Sequence, residues 1–369
     1  MEWFGSNIQR LINKEDLDRD TMRKMFTQVL RGEQPDLQQG AFLAALVAKG
    51  ETAAEIAGAW EAIREVDTVK VEPEVDGPIL DNCGTGMDPF KTFNISTAAS
   101  IIAAAEGVVL ARHGARSITS KCGTVDVAEA LGVDVEAEIE VAKRSVEQCG
   151  LGLFNGMSPS VHPQGLFRIL SQIRFGATLN IAGSLASPVL PHLGVRGVFS
   201  PKMVDKVAEV MGEIGYEEAY VFHGLRENGE PGMDEISNLG PTVFCRLQEN
   251  GKLENFTLEP EDLGLKKARA EELAPAGSPH EEAVRLVRLL SGRDNGARLE
   301  AVCVNAAPMF LLVGRVGDFK AGVELAREVV FTGKGLAKLE EWVSCQNREP
   351  EVGRVRLEEV TKKASVVAN

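Results

Sequence analysis

No apolar run in this chain approaches the roughly 18 residues that a membrane-spanning helix needs. The longest, Ile101 to Ala111, is broken by Glu106 and Gly107. The opening residues, MEWFGSNIQRL, have neither the basic start nor the apolar segment of a secretion signal, so a cytoplasmic protein is expected. Six cysteines (Cys83, Cys122, Cys149, Cys245, Cys303 and Cys345) stand far apart with no Cys-x-x-Cys pair. That argues against zinc ribbons and disulfide scaffolds and fits a reducing compartment. Positive charge is in deficit: 40 Lys plus Arg face 54 Asp plus Glu, a net charge of −14. Broad, non-specific nucleic-acid binding is therefore disfavoured. Any anionic ligand must be held by local features that overcome the field of the whole molecule.

What is present is an ordinary globular composition, 44% hydrophobic and 25% charged over 369 residues. Such a chain suits about two or three domains, or one large domain with an appendage. Residues 1–72 read as a small all-helical domain. NKEDLDRDTMRKMFTQVLRGE sets Leu17, Met22, Met25, Phe26 and Val29 at helical spacing and stops near Gly32. PDLQQGAFLAALVAKGE does the same and stops at Gly50, and Thr52 with Glu55 makes a capping-box pattern for the next helix. VEPEVDGPIL looks like a linker, with a hinge expected near residues 71–78. From residue 73 to 369 short apolar runs alternate with amphipathic stretches, which predicts a larger α/β domain on a central mixed sheet. Strand-like runs include Ile79–Asp81, Val108–Leu110, EAYVFHG and RLEAVCVNAA. TVFCRLQENGKLENFTL carries a hairpin signal at Asn250-Gly251. Residues 183–200, rich in Pro and Gly, are expected to cross back to the helical domain.

The most informative stretch is Asp81 to Thr97, DNCGTGMDPFKTFNIST. A strand ends near Asp81, a loop follows, and a helix starts with Ser96 and Thr97 at the position of its N-cap. Gly84 and Gly86 let the backbone approach a ligand. A helix N-terminus presents unpaired N–H groups and partial positive charge, which suits phosphate. Asp88 opposes this unless a cation or a ribose hydroxyl lies between. The loop matches neither a Walker motif nor G-x-G-x-x-G. Alone it reads equally as a capped strand-to-helix turn.

Three ordered blocks carry more. GTGMDPFKTFNIST, the block RHGARSITSKCGTVD from Arg112 to Asp126, and GMDEISNLGPT from Gly232 to Thr242 resemble the anthranilate phosphoribosyltransferase family. So do GEQPDLQQGAFLAALVAKGET near the start and VNAA with GVELAREVVFTGKG near the end. The resemblance implies a nucleoside phosphorylase-like fold, paired as a homodimer through the helical domain. It implies transfer from 5-phosphoribosyl 1-diphosphate to a small aromatic amine, with Mg²⁺ and release of diphosphate. Diphosphate would sit on Gly84, Thr85 and Gly86, with Asp88 nearby. Thr92, Asn94, Ser96 and Thr97 would hold phosphate, and Ser96, Asp234 and Glu235 the metal. Arg112, in place of the usual Lys, would grip phosphate with altered donor geometry. Thr124 stands where the family usually has Ser. His113 is the titratable group at the reaction, either touching the acceptor or held as a structural histidine. His162, in His162-Pro163-Gln164, is counted with the substrate-binding residues. Cys122 beside Lys121 reads as a non-catalytic thiol.

The departures fall on the acceptor side. Met87 and Pro89 replace glycines of the family loop, and Ala115 replaces an Asn. The family's Pro-Val-Arg, which positions a carboxylate, has no clear counterpart, although Arg168 and Arg174 are nearby cations. One lost charged hydrogen bond costs roughly 1.5–3 kcal/mol. LRENGEP, Leu225 to Pro231, looks like an insertion before the acidic pair. Two other readings remain: a nucleoside or nucleotide phosphorylase, and a non-catalytic nucleic-acid-binding relative.

Overall fold

The computed structural model describes residues 2–117, 122–173, 175–176 and 178–366. It opens with four helices, α1 (Glu2–Ile12), α2 (Arg19–Leu30), α3 (Asp36–Lys49) and α4 (Ala53–Val66). Their apolar stripes meet in a core where Phe42 stands edge-on to Phe4 and Phe26. The Asp18 carboxylate caps α2 by accepting the Thr21 N–H at 2.8 Å. Thr52 and Glu55 form the expected capping box. Glu55 is fully buried, and its carboxylate also accepts the Leu17 N–H at 2.9 Å and pairs with Lys49 at 2.9 Å. One side chain thereby ties three segments of the bundle.

The rest of the chain builds a mixed sheet. In chain order the elements are β1 (Ile79–Asn82), α5 (Ile95–Ala105), β2 (Val109–Gly114), α6 (Thr124–Leu131), α7 (Ile139–Cys149), β3 (Leu151–Asn155), α8 (Leu166–Gln172), α9 (Thr178–Leu185), β4 (Leu193–Gly197), α10 (Val204–Glu213) and β5 (Glu218–Leu225). There follow β6 (Pro231–Met233), β7 (Thr242–Leu247), β8 (Leu253–Leu258), α11 (Pro279–Leu290), α12 (Ala297–Leu312), α13 (Phe319–Phe331), α14 (Lys334–Cys345) and α15 (Pro350–Ser365). The sheet order is β3-β2-β1-β4-β5-β7-β8, with β6 paired to β5. β3, β2, β1, β4 and β5 are parallel; β6 and β7 pair antiparallel with β5, and β8 antiparallel with β7. α5, α6 and α11–α14 cover one face. α4, α9 and α10 pack toward the other, beside the helical layer. Among the described residues no helix is long and apolar enough to cross a membrane.

The mixed sheet, the helical start and the Asn250-Gly251 hairpin agree with the sequence reading; Leu247 pairs with Leu253 across that turn. The start of 183–200 does meet the helical layer, with Trp60 Nε1 donating to Leu185 O at 2.9 Å and Arg64 Nη1 to Ser187 O at 2.6 Å, and α8 and α9 pack there as well. Within 183–200 lies β4, whose LGVRG is buried on both faces as an interior parallel strand requires. One expectation is corrected, that of a strand at RLEAVCVNAA, which is helical and lies inside α12. An apolar run buried all round has no period that separates strand from helix.

The parallel strands fix the location of the site. Chain order runs outward from β1 to β3 on one side and from β4 to β5 on the other. The loops after β1 and β4 therefore part at their C-terminal ends, the crevice where open α/β sheets bind ligands.

Candidate active site

The glycine loop leaves β1 inside this crevice. The Thr85 N–H donates to Gly197 O at 3.0 Å, and its hydroxyl accepts the Phe199 N–H at 3.0 Å. Thr85 thus ties the loop to the end of β4. Gly86 has φ +66 and donates its N–H to Asp234 Oδ2 at 2.8 Å. Any Cβ on Gly84 would collide with the Asp234 carboxylate. The glycine loop and the acidic pair, 148 residues apart, are therefore in direct contact. Met87 has φ +68, a strained setting for a residue with a side chain. Its Cε lies in the space a Cβ on Gly176 would need, between α8 and α9.

Three carboxylates converge here. Asp88 is buried, and its pKa is pushed up to about 7 by burial and then by Asp234, against the pull of Lys91 at 3.0 Å. Burial also raises Asp234, held by the Gly86 N–H. Glu235 is raised well above the usual range by burial, Asp234 and Asp88, and is relieved in part by Arg112 and the Ser96 N–H. Among the described residues no three His, Cys, Asp or Glu side chains are grouped so as to hold a metal on their own.

α5 supplies the opposing wall. Its N-cap is Asn94, two residues before the expected Ser96 and Thr97: Asn94 Oδ1 accepts the Thr97 N–H at 3.3 Å. The Asn94 N–H donates to Glu282 Oε1 at 2.9 Å, and the second Glu282 oxygen accepts the Ala276 N–H at 2.8 Å. Thr92 lies half-buried in the approach to the helix. Arg112 is buried behind it. Its Nε donates to Asn82 O at 3.2 Å, Nη1 to Thr97 Oγ1 at 3.0 Å and Nη2 to Ser96 Oγ at 3.1 Å. The guanidinium therefore orients the first-turn hydroxyls and sets positive charge beneath the helix N-terminus. Thr124 opens α6, its methyl facing the end of β2 at Gly114.

His113 and His162 form a buried pair, with Nε2 to Nε2 at 3.2 Å. His162 Nδ1 lies 2.6 Å from Asp67 O, so it must donate there. His162 Nε2 then accepts, and the His113 Nε2–H donates. Burial, with His162 beside it, pulls His113 down to about 3, and burial also lowers His162. Both rings are neutral. The buried Asp67 carboxylate accepts the N–H groups of Gln164, Gly165 (3.0 Å) and Leu166 (2.6 Å), which fixes the start of α8.

The loop, the carboxylate pair, the α5 N-terminus and Arg112 thus form one cluster, with His113 farther along β2 and His162 in the loop after β3. Arg168 reaches toward the helical layer, its Nη2 donating to Val29 O at 3.0 Å. Lys121 and Arg174 lie outside the described residues. Burial pushes Cys122 up to about 12 and Cys83 to about 11, so neither thiol is activated.

Four residues that matter here were not read from sequence: Asp67, Glu282, Asp81 and Arg196. Arg196 Nη2 meets Asp81 Oδ2 at 2.5 Å with both side chains buried, bridging β4 and β1 under the crevice. Burial works against the Arg196 charge, and the Asp81 carboxylate offsets it. Its one sequence signal is a lone cation within an otherwise apolar strand.

Residues 76–336 match the glycosyl transferase family, a/b domain, and residues 6–66 the glycosyl transferase family, helical bundle domain. The chain is 36% identical over 343 residues to the anthranilate phosphoribosyltransferase of Desulfosudis oleivorans, covering 92% of this chain and 98% of that one. It is 38% identical over 336 residues to the Myxococcus xanthus enzyme of the same name, covering 90% and 96%. Among solved structures, the anthranilate phosphoribosyltransferase of Thermus thermophilus superposes with a TM-score of 0.81 at 32% identity, over 92% of this chain and 98% of that one. The Saccharomyces cerevisiae enzyme in complex with PRPP and Mg has the same fold, with a TM-score of 0.82 at 24% identity over 93% and 98%.

Proposed function

The chain belongs to the anthranilate phosphoribosyltransferase family of glycosyl transferases and is a phosphoribosyltransferase, and from that premise we propose that it transfers the 5-phosphoribosyl group of 5-phosphoribosyl 1-diphosphate to an aromatic amine, anthranilate or a related acceptor, releasing diphosphate. The observation that carries this reading is the contact of the Gly86 N–H with the Asp234 carboxylate, which sets the glycine loop against the acidic pair. Backbone amides for an anion and carboxylates for a cation meet in one crevice.

The donor set fits Mg²⁺. The metal takes one or two carboxylates and completes its shell with phosphate oxygens and water, so a full protein cage is not required. Buried carboxylates that raise one another's pKa gain from a bound cation. Ser96, Asp234 and Glu235 would hold the ion, and when bound it supplies charge to offset the leaving diphosphate. The Ser96 and Thr97 hydroxyls at the positive end of α5 would bind phosphate oxygens. Arg112 keeps those hydroxyls aimed and adds a buried positive charge that favours the departing anion. An aryl amine is a neutral nucleophile, so alignment outweighs a strong base. The neutral His113–His162 pair suits a positioning role better than proton removal.

The outward apolar side chains Trp3, Ile12 and Leu37 of α1 and α3 support pairing of two copies through the helical layer. An assay of diphosphate release with 5-phosphoribosyl 1-diphosphate, Mg²⁺ and a panel of aryl amines tests the proposal. Release that depends on anthranilate or on another aryl amine supports it; no acceptor-dependent release across the panel overturns it.

A further inference from the structure

We propose that Arg226, on the turn joining β5 to β6, is a positioning residue that holds the 84–91 loop in register with Asp234 and Glu235 and thereby strengthens binding of the phosphorylated sugar donor. The inference rests on the function proposed above and adds to it a residue outside the three motif blocks.

The turn is the segment Leu225 to Pro231. It is closed by two backbone bonds, Arg226 N–H to Glu230 O at 2.9 Å and Gly229 N–H to Arg226 O at 2.9 Å. Gly229 takes φ +77 to make the corner. The β5–β6 pairing shifts register at Gly224 and Leu225, which turns the arm toward the glycine loop. The Arg226 guanidinium carbon then lies 5.6 Å from the centroid of the Phe90 ring. Glu230 pairs with it at 3.6 Å, but both of those side chains are exposed, where an ion pair contributes little.

Phe90 is half-buried in a loop with no helix or strand of its own. Two hydrogen bonds donated by backbone N–H groups join that loop to the β6 side: Phe90 N–H to the Gly232 carbonyl at 3.0 Å and Gly86 N–H to the Asp234 carboxylate at 2.8 Å. Arg226 adds the side-chain tie. Gly232 sits between them, where a Cβ would meet Gly224 O at 2.6 Å and Arg226 Cγ at 3.2 Å. Arg226, Phe90, Gly232 and Asp234 therefore form one continuous contact chain. Lys91 follows Phe90 directly and pairs with Asp88. A Phe90 ring that lifts away carries Lys91 and Asp88 with it, out of alignment with Asp234.

The test is calorimetric binding of 5-phosphoribosyl 1-diphosphate with Mg²⁺, together with amide hydrogen exchange of the ligand-free protein. Arg226→Ala is expected to weaken donor binding roughly fivefold, the scale of one cation–π contact. It should also speed exchange at the Gly86 and Phe90 amides while leaving the global unfolding midpoint in place. Arg226→Lys, which keeps the cation, should recover part of the loss. Arg226→Ala combined with Phe90→Leu should bind no worse than either single variant, because both remove the same contact. Additive losses, or unchanged exchange at Gly86 and Phe90 in Arg226→Ala, would overturn the proposal. If the unaltered protein fails to bind the donor, the functional reading fails instead; if it binds and Arg226→Ala binds equally well, this inference alone fails.

Discussion

Glu282 offers the most demanding test of how the start of α5 is held. It lies 188 residues from Asn94, is 2% exposed, and uses both carboxylate oxygens on backbone N–H groups, of Asn94 at 2.9 Å and Ala276 at 2.8 Å. A hydrogen bond to a charged group contributes about 1.5–3 kcal/mol, and an orphaned buried donor carries a penalty of about 1–3 kcal/mol. Glu282→Ala removes both bonds at once and is expected to lower unfolding free energy by about 3–6 kcal/mol. Glu282→Gln keeps one carbonyl acceptor, so it should lose about half as much. Because Asn94 caps the helix that faces the donor's phosphates, the apparent KM for 5-phosphoribosyl 1-diphosphate should rise in the same order, Gln before Ala, with kcat changing less. Urea unfolding and initial rates of diphosphate release measure the two effects. A Glu282→Ala protein with unaltered unfolding free energy and donor KM would refute the claim that this carboxylate sets the loop.

Asp234→Asn with Glu235→Gln should abolish diphosphate release with every acceptor while the circular dichroism spectrum stays unchanged; full turnover would remove the metal assignment. Ala115→Asn should improve the use of anthranilate if the acceptor pocket is otherwise standard, and no change in kcat/KM would point to another amine. His113 has a folded pKa near 3 against 6.5 in the unfolded chain, so the unfolded state binds more protons between these values and stability falls as pH drops through that window. His113→Gln should therefore lose about 2–3 kcal/mol less than the unaltered protein between pH 7 and pH 4.5, read by urea midpoints; parallel pH profiles would contradict it. Leu37→Glu, at a position 89% exposed on α3, should shift the protein toward monomer in light scattering if the helical layers pair.

The sequence made most of the architecture readable because the signals were local. Thr52 and Glu55 lie three residues apart, Asn250-Gly251 is a two-residue turn, and the glycine loop is flanked by its own strand and helix. Where the signal was burial, it failed. RLEAVCVNAA is apolar on every side within α12, so neither period showed, and the strand LGVRG was masked by the prolines before it. The site divides the same way. Gly86, Asp88 and the Asp234–Glu235 pair stood out as motifs. Asp67 and Glu282 did not, since each acts by receiving backbone N–H groups from a distant segment, and any sequence at that segment offers the same donors. Asn94, expected among the phosphate-holding residues, also caps the helix that presents Ser96 and Thr97.

The Asp81–Arg196 bridge also constrains how this scaffold can change over time. Removing one member of such a pair strands the other's charge in the dry interior at about 3–5 kcal/mol, whereas exchanging both for apolar residues is close to neutral. The two positions, 115 residues apart in the chain, must therefore be inherited as a unit. Any lineage that remodels the crevice between β1 and β4 passes through a poorly folding intermediate or alters both strands together.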